Sequence, residues 1–183
     1  MPQPSPFTPI PTSTSTSSST PRALQLIEQL HLQPHPEGGW YREVFRSQGQ
    51  VIPQDGRPAR SALTSIYFLL EAAQHSRWHR VLSDEVWVYL EGAPLDLWTW
   101  DAVNGQLCSV ALGPVNAATA PQHVIAAGLW QAARPQAGTS AAYTLAACMV
   151  GPGFDFSDFR MMAPGGSEAL RIAADHPALA PLI

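Results

Sequence analysis

SRWHRVLSDEVWVYLEG, residues Ser76 to Gly92, alternates in its second half as a β-strand does. Side chains on a strand point to opposite faces with period two, so Glu85, Trp87 and Tyr89 share one face and Val86, Val88 and Leu90 the other. The second face is wholly apolar. The first mixes a carboxylate, an indole and a phenol. Aromatic walls with a few fixed polar groups are what a ligand cavity needs, although the same three residues would also make an ordinary solvent face. Just upstream, His79, Arg80, Asp84 and Glu85 are expected within one turn between two strands.

Working outward, short apolar runs separated by turn residues continue in both directions. Trp40 to Arg46, Ser61 to Leu70, Leu95 to Trp100, Gln106 to Leu112, Gln122 to Ile125, Leu129 to Ala133 and Tyr143 to Val150 all read as strands. Asn104-Gly105 marks a hairpin between the third and fourth of these. Gly49 to Arg60 reads as a loop. Many short, regularly spaced strands indicate an antiparallel sandwich or barrel. Helical signals are confined to the ends. Thr20 and Pro21 suit the cap and first position of a helix carrying Leu24, Ile27 and Leu30 or His31, and Pro34 and Pro36 prevent its continuation. Ser167 to Ala174 suits a short terminal helix. Residues 1–20 are mostly Pro, Ser and Thr without a charge, which predicts a disordered tail before a domain over 21–183.

Composition narrows the function. Of 183 residues, 45% are hydrophobic and 13% charged, enough apolar material for a core. The net charge of -4 offers no basic footprint for nucleic acid or an anionic membrane. All ten basic residues are arginine, so lysine Schiff-base chemistry and a standard P-loop are excluded. No apolar run approaches the ~20 residues of a membrane span, and no secretory signal opens the chain. A cytoplasmic location is the resulting expectation. Cys108 and Cys148, both in apolar surroundings, read as two reduced core thiols.

Several segments in order carry a family resemblance. They are His35-Pro-Glu-Gly-Gly-Trp-Tyr-Arg-Glu43, Thr64-Ser-Ile-Tyr-Phe68, Trp78-His-Arg80, Asp84-Glu85, Gly128-Leu-Trp-Gln131 and Gly151-Pro-Gly-Phe-Asp-Phe-Ser-Asp-Phe159. Over nearly all of Leu24 to Ile183 the chain resembles the single-domain branch of the cupins sometimes called cupin family five. His79, Glu85 and Gly92 fit the first cupin motif, but Val81 stands at its second histidine. Gly128 fits the second motif, in which Gln131 replaces the histidine, Ala126 the proline and Pro135 the asparagine. The resemblance implies an all-β jelly-roll β-barrel with short flanking helices that binds a small molecule and pairs as a homodimer through its outer sheet face and edge strands.

It also implies chemistry at named positions. Metal cupins resemble a cage of three histidines and one glutamate. Here His79, Glu85 and the amide oxygen of Gln131 are the corresponding set for a divalent ion such as Mn, Fe or Zn, with amide a poor replacement for imidazole. Metal-free cupins include sugar-nucleotide epimerases and isomerases. In that reading His79 is the general base, Glu85 orients or charges it, and Tyr89 or Tyr41 is the acid. Glu37, Tyr41, Arg80, Trp87, Trp130 and Gln131 are the candidate ligand contacts, with arginine suited to phosphate and indoles to ring stacking. Gly38 and Gly39 are expected to line the cavity mouth and bring Glu37 or Tyr41 toward a ligand. Phe154, Phe156 and Phe159 read as packing anchors, and the remaining histidines, His35 among them, show no ligand spacing. A barrel that binds a small apolar or aromatic ligand without catalysis is the alternative.

Overall fold

The computed structural model describes residues 20–183, so the tail expected over 1–20 lies, apart from Thr20, outside the described residues. Helix α1 (Pro21–Gln29) comes first, capped by the Thr20 hydroxyl accepting from the Ala23 N–H at 3.4 Å. The strands follow as β1 (Gln33–Pro34), β2 (Trp40–Arg46), β3 (Gln50–Val51), β4 (Arg60–Ser61), β5 (Thr64–Glu71), β6 (Ser76–Val81) and β7 (Asp84–Gly92). After them run β8 (Leu95–Asp101), β9 (Gln106–Leu112), β10 (Gln122–Ile125), β11 (Trp130–Pro135), β12 (Tyr143–Gly151) and β13 (Phe159–Met161). A short 3₁₀ turn, Phe156–Asp158, precedes β13; helix α2 (Ser167–Asp175) and a second 3₁₀ stretch, Pro177–Leu182, end the chain.

The strands form an all-β jelly roll. Six of them pair in the order β1-β2-β5-β12-β7-β10, and five in the order β13-β6-β11-β8-β9. All the pairings between these strands are antiparallel. Ser76 to Val81 is a strand and not the expected turn, so His79 and Arg80 sit on opposite faces of β6. Gly49 to Arg60 ends in the two-residue pairing of β3 with β4.

Two apolar clusters explain how the cavity is held. Phe68, Leu70, Trp87, Leu95, Leu97 and Ile125 fill one end between the sheets. On the far side of the five-stranded sheet, Trp78, Trp100 and Trp130 pack beneath α2 and the last 3₁₀ stretch, against Ile172, Leu179 and Leu182. Sequestering that much aromatic surface from water contributes strongly to stability. The loop from Ile52 to Ala59 is tied down by charge. Arg57 Nη1 and Arg60 Nε both donate to Asp158 Oδ2 at 2.8 Å, and Arg60 Nη2 donates to its Oδ1 at 2.8 Å. These guanidiniums hold Asp158 below the usual carboxylate range. The clamp fixes the 3₁₀ turn that carries Phe156. Of the two cysteines Cys148 is buried, but Cys108 is exposed on β9, correcting the reading of two core thiols. Its strand pairs with β8 and lies at the end of its sheet. Among the described residues no helix is long and apolar enough to cross a membrane.

Candidate functional site

The opposite end of the space between the sheets is open, as a cavity of about 340 Å³. Register places its walls. Glu85 of β7 stands opposite Val150 of β12, which stands opposite Thr64 of β5, which stands opposite Arg46 of β2. One step along, Trp87, Cys148, Ile66 and Glu43 form the next inward row. The facing sheet contributes His79 and Val81 from β6, and the segment after β12 contributes Phe154, Phe156 and Phe159.

Glu37 enters from a turn. The His35 N–H donates to the Gly39 carbonyl and the Gly38 N–H to the His35 carbonyl, both at 3.0 Å. Gly38 and Gly39 have φ of 114° and 72°, conformations that suit glycine. The Arg77 N–H donates to the Glu37 carbonyl at 2.9 Å, which ties the turn to β6. The result is a buried carboxyl beside His79.

The contacts of His79 define its protons. Its Nδ1 lies 2.7 Å from the Arg77 carbonyl oxygen, an acceptor only, so Nδ1 carries a hydrogen. Its Nε2 lies 3.1 Å from Glu37 Oε2. A neutral imidazole with hydrogen on Nδ1 would present a lone pair there, facing the lone pairs of a carboxylate. One proton must therefore lie between the two groups. Burial lowers the His79 pKa and raises that of Glu37 to about 7, both of which favour the proton on the carboxyl, donating to Nε2. The Ser76 hydroxyl donates to Glu37 Oε1 at 3.0 Å. His35, which the sequence did not single out, lies with Nδ1 3.6 Å from Glu37 Oε2, and burial lowers its pKa as well.

Glu85 is the second buried carboxyl, raised to about 6 by desolvation. Its Oε2 accepts from the Gln131 side-chain Nε2 at 2.6 Å, while Gln131 Oε1 accepts from the Trp87 indole at 3.1 Å. An indole N–H can only donate, so it fixes the amide with its NH₂ toward Glu85. This bears directly on a metal. The amide oxygen proposed as third ligand is turned away and occupied, and His79 Nε2 is met by Glu37. Among the described residues no group of three or more His, Cys, Asp or Glu is placed to hold an ion. The set His79, Glu85 and Gln131 does not fit a divalent metal in this arrangement.

His79, Glu85, Glu37 and Tyr41 thus meet at the cavity, with Gln131 and Trp87 behind Glu85. Three other candidates lie elsewhere. Trp130 and Arg80 are cross-strand partners on the outward face of the five-stranded sheet, where the guanidinium sits 5.1 Å from the indole centroid, over the ring. Neighbours on a strand face opposite ways, so Gln131 and Trp130 cannot both line the cavity, nor can His79 and Arg80. Tyr89 packs at the edge of the apolar core and donates to the Gly92 carbonyl at 2.7 Å, away from the imidazole. Phe154, Phe156 and Phe159, expected only to anchor packing, form a wall of the cavity.

The two raised carboxyl pKa values predict an unusual pH profile. Glu37 and Glu85 bind more protons folded than unfolded, so their contribution is full below about pH 4 and is lost as pH rises through about 6 to 7. His79 and His35 act oppositely, losing stability as pH falls below their unfolded value of about 6.5. Glu37→Gln is expected to gain stability relative to the parent at about pH 8 compared with about pH 5. Thermal melts at both pH values check this, and an identical pH dependence in the two proteins would refute it.

Comparison with known proteins agrees with this architecture. The family model described as Cupin superfamily (DUF985) matches residues 24–162. A hypothetical protein from Leishmania major is 32% identical with a TM-score of 0.74, the match covering 88% of this chain and 96% of that one. A protein from Shewanella oneidensis is 30% identical with a TM-score of 0.72, covering 86% and 94%. A cupin-2 domain protein from Rhodospirillum rubrum shares the fold at 16% identity and a TM-score of 0.52, covering 96% and 99%. No curated protein matches the chain. The motifs, the paired sheets and the family match together establish that this chain belongs to the DUF985 family of the cupin superfamily.

Proposed function

We propose that the cavity binds a small molecule and moves a proton on it without a metal, as an isomerase or epimerase does. The observation that carries this reading is the 3.1 Å approach of His79 Nε2 to Glu37 Oε2, two buried groups whose contact requires one proton between them. With the proton on the carboxyl, His79 Nε2 is the atom that can take a proton from a ligand carbon and Glu37 the group that can return one, after which the proton on Nε2 passes back to the carboxylate. Burial moves the two groups oppositely, Glu37 up and His79 down. Tyr41, on the cavity wall, is a phenol within the same space. Tyr89, with its hydroxyl committed to a backbone carbonyl, is not the acid in this scheme. Sugar nucleotides are poorly served, because among the described residues no unpaired guanidinium lines the cavity to meet a diphosphate. The test uses a ligand that raises the melting temperature of the protein. Incubated with the protein in D₂O, that ligand should gain deuterium at carbon, and His79→Ala and Glu37→Gln should each abolish the exchange. Tight binding by the parent with no exchange would reduce the protein to a binding barrel.

The homodimer belongs to the same proposal. Phe45, Ser65, Met149, Val86 and Val124 are aligned across five strands on the face turned away from the cavity. Phe45 and Val124 are half exposed, and the row carries no charge. A second copy related by a two-fold axis would meet like apolar surface. Sedimentation should report a dimer for the parent and a monomer for Val86→Asp; a monomeric parent would refute the pairing.

A further inference from the structure

We propose that the cavity is built for a small organic cation, an amine carrying a compact apolar or ring-bearing body. This rests on the reading of the cavity as a ligand site, but not on proton transfer there. Two independent features lead to it.

The first is charge. Arg46 is the only guanidinium on the cavity wall among the described residues. It is already committed, donating to Glu43 at 2.9 and 2.7 Å and to the Phe154 carbonyl at 3.1 Å. His35 and His79 are held neutral by burial. Opposing them stand Glu85 on the floor and Asp155 at the rim, the latter kept ionised by hydrogen bonds from Ser157. Near neutral pH the lining therefore carries net negative charge. A carboxylate or phosphate entering here would be repelled and would find no free cationic fork, whereas an ammonium would meet a buried carboxylate.

The second is the aromatic wall. The rings of Phe154, Phe156 and Phe159 surround one corner with centroids 5.0, 5.9 and 6.1 Å apart, at steep mutual angles. Phe156 is 54% exposed although the Asp158 clamp fixes its turn, so a large apolar surface is held open at the rim. Aromatic faces carry the negative lobe of the ring quadrupole, and several around one space attract an alkylammonium more than a neutral group of the same shape. The cavity volume, about 340 Å³, is near the lower limit for small-molecule sites and suits a compact guest.

Benzylammonium, benzyl alcohol and benzoate share a ring and differ in head-group charge. Titrated calorimetrically into the purified full chain, benzylammonium is expected to bind about tenfold tighter than benzyl alcohol, with benzoate weakest. Glu85→Gln should bring benzylammonium and benzyl alcohol to within about threefold of each other. Phe156→Ala, at an exposed position that does not threaten folding, should weaken benzylammonium more than benzyl alcohol. Benzoate binding as well as benzylammonium, equal binding of the cation and the alcohol, or no heat from benzylammonium at millimolar concentration would each overturn the proposal. The readout is binding alone. Missing deuterium exchange would defeat the acid–base reading and leave this one standing, whereas a preference for benzoate would defeat this one and leave the exchange result intact.

Discussion

Trp130→Ala is expected to lower the unfolding free energy by about 3–5 kcal/mol while leaving benzylammonium affinity unchanged in the folded protein. Trp130 is 1% exposed and packs with Trp78, Trp100 and the terminal helix, so truncation removes a large buried surface and leaves a void. Nothing in that cluster reaches the cavity, which lies on the other side of the sheet. Urea denaturation measures the first quantity and calorimetry the second. A loss of affinity together with a small stability change would return Trp130 to the list of ligand contacts and would contradict the strand parity described above.

Gly38→Ala should be strongly damaging for so small a substitution. A Cβ there would lie 2.3 Å from the His75 carbonyl oxygen, and the φ of 114° is strained for any L side chain. The strain alone costs on the order of 1–3 kcal/mol, and the overlap forces the turn off β6 in addition. Gly56 is the natural control. Its φ is 86°, but nothing lies within 4 Å of the added methyl, so Gly56→Ala isolates the backbone cost. We expect Gly38→Ala to exceed it in destabilisation and, alone of the two, to disturb the His79 imidazole signals in NMR, because the turn that aims Glu37 is displaced. Equal effects of the two substitutions would mean that the turn adapts and that Glu37 is positioned by other means.

The fold was legible because two kinds of signal coincided. Period-two alternation located β7 and the Asn104-Gly105 hairpin, and the ordered motifs named the family. The site was legible in part. Glu37 was anticipated because adjacent glycines before a strand imply a tight reversal, and His79 and Glu85 because they occupy known motif positions. Trp130 and Arg80 were misplaced by reading motifs as blocks. Each is the immediate neighbour of an inward residue, and a strand cannot present both to one side. β6 went unrecognised because Arg77, His79 and Arg80 mask its alternation, with the Arg77 guanidinium reaching the Pro36 carbonyl. His35 gave no spacing signal. Its place depends on the chain folding back through Gly38 and Gly39, which brings it beside Glu37 only in three dimensions.

The Trp87 indole has an influence beyond its own packing. By occupying one end of the Gln131 amide it decides which chemical face β11 of the opposite sheet turns toward Glu85. Phenylalanine at 87 would keep most of the ring but release that choice, leaving the amide free to rotate and offer its oxygen beside two carboxyls and an imidazole. A single donor two residues along β7 from Glu85 thus separates a pocket suited to ammonium guests from one with some appetite for hard cations.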